Sequence, residues 1–146
     1  MATVTIKNLD KLTHKLNNIS NLDVRKAMNK ATTMVHGSAE NLAPVDTGEL
    51  AGSIHMEVKK LPTGWQGRVY TNLEYAMYVE FGTGNKGDGS YPYKIDGVTL
   101  AYKQDWAGMK AQPYMYPALK KNEKSIRKLF KEEVKEELRD CCKGGS

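Results

Sequence analysis

Gly82-Thr83-Gly84-Asn85-Lys86-Gly87 fits the pattern G-x-G-x-x-G, which in the right setting lets a backbone approach the pyrophosphate of a dinucleotide. That chemistry needs a strand running into the first glycine and a helix opening near the last. Here Gly87 leads into "DGSYPY", which holds Pro92 and has no helical period. Lys86 is not followed by Ser or Thr, as the G-x-x-x-x-G-K-[ST] phosphate loop requires. The stretch from Gly82 to Ser90 is therefore read as a loop that orders only on docking, because glycine is costly to fix. No cofactor is expected.

Other reactive side chains give little more. His14, His36 and His55 stand on separate predicted elements with no H-x-x-x-H spacing, and Cys141 and Cys142 are adjacent in the polar end "RDCCKGGS". Neither arrangement supplies metal ligands at separated positions. Ser53 lacks a nucleophile-elbow sequence. Asp46, Glu49, Glu74 and Glu80 could meet as the carboxylate pair of a small hydrolase. Turn capping by Asp46 and ion pairing by the others are the simpler roles, and the chain is read as no enzyme.

A length of 146 residues at 40% hydrophobic and 27% charged suits one soluble domain. No apolar run approaches the ~20 residues that cross a bilayer. The opening "MATVTIKNLDKLTHK" lacks the apolar stretch of a secretory signal. A soluble product without a membrane partner is expected. Net charge is +5, from 22 basic and 17 acidic residues. That excess keeps a non-specific nucleic-acid-binding module in view as an alternative.

The elements follow from periodicity. Leu9, Leu12 and Leu16 mark a short helix, and Ser20 with Asp23 forms a capping box opening a longer one. Its apolar stripe is Val24, Ala27, Met28, Ala31, Val35, Ala39 and Leu42, and Pro44 ends it. Asp46 is placed to accept N–H groups two and three residues on, with Gly48 relaxing the turn. Residues 52–72 alternate as an antiparallel hairpin, with Ile54, Met56 and Val58 on the buried face and "LPTG" at the turn. "EYAMYVEFG" is read as a helical turn, and Asp96-Gly97 as the tip of a small second hairpin. Pro117 opens a final helix whose apolar face is Leu119, Ile126, Leu129, Phe130, Val134 and Leu138. The first half of that helix is basic and the second acidic, read as a solvated face. The sum is an α+β domain over 1–140. A central antiparallel sheet, the main hairpin plus the small one, packs on a long helix of the N-terminal half and a C-terminal helix. Residues 141–146 are a polar, flexible tail.

Three stretches stand in a familiar order: "APVDTGELAGSI" (43–54), "YTNLEYAMYVEFGTG" (70–84) and "AQPYMYPAL" (111–119). With these motifs the chain resembles the small neck or tail-completion proteins of tailed bacteriophages, also known as head–tail connector or minor tail components. Tyr114 stands where that family commonly has Phe, and the segment from Asn85 to Lys110 is longer than its pattern needs. The resemblance implies a structural role without catalysis, as a homo-oligomeric ring of six copies at the neck or the top of the tail. It implies connector or head-completion proteins and tail-tube or tail-terminator proteins as partners. Genomic DNA would be a weak, non-specific channel contact, and the location would be the virion, with the host cytoplasm during assembly. The residues it singles out are Pro44, Asp46, Thr47, Gly48, Leu50, Tyr75, Tyr78, Glu80, Phe81, Gly82, Pro113 and Pro117. Tyr75, Tyr78, Glu80 and Phe81 would form a packed corner, with Glu80 an ion-pair partner between elements or subunits.

Overall fold

Alanines at helical spacing let other elements close on one long helix. The computed structural model describes residues 23–46, 48–87 and 105–143, together with Asp10, Thr13, His14 and Asn17. Helix α1 runs over Arg25–Leu42 and buries Ala27, Ala31, Thr32 and Ala39. It opens two residues after Asp23, whose carboxylate accepts from the Arg25 N–H at 2.9 Å. That bond satisfies one of the donors every helix start leaves over. Ser20, the other half of the expected capping box, lies outside the described residues. At the far end Ala43 is extended, with ψ 135°, as the residue before Pro44 must be.

Gly48, at φ 75°, reverses the chain into the single turn α2, Glu49–Gly52. Strands β1 (Ile54–Leu61) and β2 (Gly64–Thr71) then pair antiparallel from Ile54↔Thr71 to Leu61↔Gly64. The face expected inside is only partly so. Ile54 is buried, but Met56 is 47% exposed, because α1 covers a single line along a sheet of two strands. Contact on that line is close. A Cβ on Gly67 would collide with Thr32 Oγ1 and sit 3.1 Å from Met28 Sδ. The outer face carries a His55–Tyr70 ring contact and an Arg68–Glu57 ion pair at 3.7 Å.

Helix α3, Ala76–Phe81, follows the sheet, and a 3-10 turn spans Gly84–Lys86. Residues 105–114 are irregular, and α4 runs over Met115–Lys143. It thus continues past residue 140, where the domain was expected to give way to a tail. The small hairpin expected around Asp96-Gly97 lies outside the described residues, as do Leu9, Leu12 and Leu16. The fold is α+β, with α1 between the sheet and α4. One core draws on Ala39, Ala43, Leu50, Ile54, Ala76, Tyr114 and Ala118.

Helices α1 and α4 are tied by polar groups as well. Asn122 Nδ2 donates to Ser38 Oγ at 2.7 Å and to Ala118 O at 2.8 Å. Glu133, one of the acids expected on the solvated face of α4, is instead buried, with Lys26 at 3.6 Å and Lys30 at 3.9 Å. Among the described residues no helix is long and apolar enough to cross a membrane.

Candidate functional site

A six-residue helix can turn only part of its surface inward. On α3 the spacing of about 100° per residue puts Ala76 and Glu80 on one side. Ala76, Glu80 and Phe81 are buried, while Tyr75 is 40% and Tyr78 54% exposed. The four residues expected to share a packed corner are therefore split, two inside and two on the surface.

Glu80 reaches the start of α4. Its Oε2 accepts from Tyr114 N at 2.7 Å and Met115 N at 3.0 Å, and its Oε1 accepts from Tyr116 N at 3.0 Å. The next residue, Pro117, has no N–H, and Ala118 N makes the first turn's bond to Tyr114 O at 3.2 Å. Every orphan donor of this helix start is thus accounted for. The carboxylate also meets the positive end of the helix dipole. Glu80, expected as an ion-pair partner between elements or subunits, serves here as a cap that joins α3 to the start of α4 through three convergent N–H groups.

Behind the cap lies Tyr114, 1% exposed and the largest fully buried side chain among the described residues. Burial, followed by the charge of Glu80 and of Tyr75, pushes its hydroxyl up to about 12. Tyr75 is shifted upward too, by loss of hydration and then by Glu49, whose Oε2 accepts from the Tyr75 hydroxyl at 3.3 Å.

The glycine run has a packing role. Thr83 N donates to Met109 O at 2.8 Å, Asn85 N to Trp106 O at 2.9 Å, and Met109 N to Thr83 Oγ1 at 2.9 Å. Gln112 N donates to Val79 O at 2.8 Å. A Cβ on Gly82, at φ 72°, would lie 2.6 Å from Ala111 N, and one on Gly108 would collide with Thr83 O. These glycines let two backbones touch. Residues 82–87 are therefore held within the chain, not left waiting for a docking partner; 88–90 lie outside the described residues. The run also follows a helix where the dinucleotide pattern requires a strand.

The remaining expected site residues are spread out. Leu50 is in the core, Asp46 and Gly48 are exposed at the α1–α2 turn, and Thr47 lies outside the described residues. Pro113 and Pro117 flank the start of α4. His36 Nε2 faces Ile54 O at 2.9 Å, His55 lies across the sheet against Tyr70, and His14 is exposed. Among the described residues no three His, Cys, Asp or Glu side chains gather as a metal site would need.

Among the described residues an apolar groove of about 700 Å³ runs along α1, walled by β2 and α4 and closed at one end by α3. Met28, Val69, Leu119, Ile126 and Phe130 line it. Periodicity gave the apolar stripes, but which of them would be left open depended on where β2 and α4 stop along α1.

The helix α1, the hairpin and the short helix α3 lie within the reach of a family match. The model of the family described as "Bacteriophage HK97-gp10, putative tail-component" matches residues 4–82. The chain belongs to the HK97-gp10-like family. No curated protein and no solved structure matched it. The matched stretch of this HK97-gp10-like chain holds the first motif and the second as far as Gly82, while the third motif supplies the N–H groups that Glu80 caps.

Proposed function

We propose that this HK97-gp10-like chain is a non-enzymatic structural protein of the phage neck, forming a ring that joins or caps the tail for head attachment. Membership of a family of phage tail components is the observation that carries the reading. The surface supports it. Val45 is 85% exposed, Trp106 57% and Tyr78 54%, and exposed apolar and aromatic groups of this kind favour protein–protein contact. Six copies, following the family resemblance, would face connector or head-completion proteins on one side and tail-tube or tail-terminator proteins on the other. Genomic DNA would meet the ring only as a weak, non-specific channel lining. Within each copy Asp46 and Gly48 set the turn into the hairpin, and Pro113 and Pro117 set the entry of α4.

Mass spectrometry of the native protein, with labelling of the protein in assembled particles, tests this. Several copies per particle confined to the neck are expected, with filled heads and separate tails accumulating when the protein is withheld. A single copy per particle, or normal virions without it, refutes the reading.

A further inference from the structure

The groove and the α1–α2 turn are two different patches of one chain, and their properties are complementary. The turn carries Leu42, 40% exposed, and Val45, 85% exposed. Residues 37–54 hold three acids, Glu40, Asp46 and Glu49, and no Lys or Arg. The groove is apolar inside, and its rim is basic. Arg68 belongs to the β2 wall, but its side chain points to the outer face and pairs with Glu57 at 3.7 Å, so the basic rim is on α4. On α4, exposed Lys120, Arg127 and Lys131 each follow a lining residue (Leu119, Ile126, Phe130) by one position. Glu123 on that edge bridges Lys120 at 3.1 Å and Arg127 at 2.7 Å, so one acid faces three cations there.

An open apolar groove of this size marks a docking site better than a solvated surface. We infer that its occupant is a second copy of this chain: the Leu42–Glu49 turn of one copy seats Leu42 and Val45 in the groove of the next, with Asp46 and Glu49 against the basic rim. The inference rests on the ring reading above and gives it an interface. Donor and acceptor patches differ, so the contact is head-to-tail, and such a contact propagates until a rotation closes it into a ring. The charged rim steers and registers the contact, and the apolar knob holds it.

The test uses full-length protein with Cys141→Ser and Cys142→Ser. Val45→Arg spoils the knob and Leu119→Arg the groove; both sites are open to solvent, and circular dichroism verifies folding. Each variant alone is expected to self-associate at least tenfold more weakly than the parent. Mixed together they should form a dimer that stops at two, because one good knob still finds one good groove. Val45→Cys with Leu119→Cys in one chain should give an oxidised ladder, and the two single variants mixed only a linked dimer. Added salt should weaken association. An oligomer that forms undiminished in the Arg variants, or without Val45–Leu119 links, overturns this interface and leaves the ring reading standing. In that outcome the groove holds another protein or the chain's own N-terminal residues. A protein with no ladder at any concentration and one copy per particle overturns both.

Discussion

Replacing Glu80 removes the cap on α4 without touching α4 itself. In Glu80→Ala the Tyr114 N–H, buried with its side chain, is left without its 2.7 Å partner. An unsatisfied buried donor costs about 1–3 kcal/mol. The lost attraction between a carboxylate and a helix N-terminus adds roughly 0.3–2 kcal/mol. The Met115 and Tyr116 N–H groups are only part-buried and can turn to water. The sum for Ala is about 1–5 kcal/mol. Glu80→Gln keeps the shape. Its one oxygen can inherit the two bonds of Oε2, but its NH₂ then confronts the Tyr116 N–H, donor against donor. One charge-assisted bond is lost, about 1.5–3 kcal/mol.

Against a total stability of about 5–15 kcal/mol, the Gln variant should still fold at room temperature. Its melting temperature should fall by roughly 5–10 °C for a chain of this size. Calorimetry reads the shift, and hydrogen exchange reads its place: protection should drop first at the amides of Tyr114, Met115 and Tyr116. A hydrolase that used Glu80 would behave otherwise, keeping its stability and losing an activity. A Gln variant melting within about 1 °C of wild type, or one that keeps protection at those three amides, would refute the reasoning.

Other perturbations follow from the same structure. With its pKa near 12 when folded, against 10.0 for the ordinary phenol, Tyr114 adds stability that is fully present below pH 10 and lost as pH rises through 12, about 2–3 kcal/mol in all. Ultraviolet titration should show one late-ionising phenol that disappears in Tyr114→Phe, and an unchanged titration would contradict this. Gly48→Ala, at φ 75° in open space, should cost only the left-handed backbone, about 1–2 kcal/mol, while Gly82→Ala must also push Ala111 and Met109 aside and should cost clearly more by urea unfolding. Asn122→Ala removes the link to Ser38 and should destabilise by about 1–2 kcal/mol, whereas Lys124→Ala on the exposed face should stay within about 0.5 kcal/mol.

Periodicity read α1 and α4 well, because their alanines and branched residues recur at steps the helix itself imposes. The hairpin was legible for the same reason, and its boundaries moved only slightly, to 54–61 and 64–71. The depth of burial was not legible. A period of two says that Ile54, Met56 and Val58 share a face, but not that a single helix would cover only part of it. The function of Glu80 was hidden because its partners lie 34 to 36 residues on, and backbone N–H groups leave no mark on residue identity. Glu133 escaped for a similar reason: it sits in an acidic run, and only its position on the α1-facing side of α4 separates it from its neighbours. The glycines at 82 and 84 were visible, but their partner backbone at 106–111 lies in a segment without period, so they read as a loop.

The three motifs that carry the family resemblance prove to be parts of one joint. The first launches the chain through Gly48 into the core with Leu50. The second places Glu80 and the glycines on either side of α3. The third brings two backbone stretches to meet them, 106–112 at the glycines and 114–116 at the carboxylate. The contacts of Glu80 and of the glycine-run backbone are polar and directional, so each fixes an angle as well as a distance, which an apolar core alone does poorly. A subunit that must repeat around a closed ring needs such angles, since a small error per copy accumulates until the last contact cannot form. The joint sets how α4 lies against α1 and β2, and therefore the width of the groove between them. In the ring proposed above, the capped start of α4 would act on assembly through the shape of the surface it positions, at a distance from any residue a neighbour would touch.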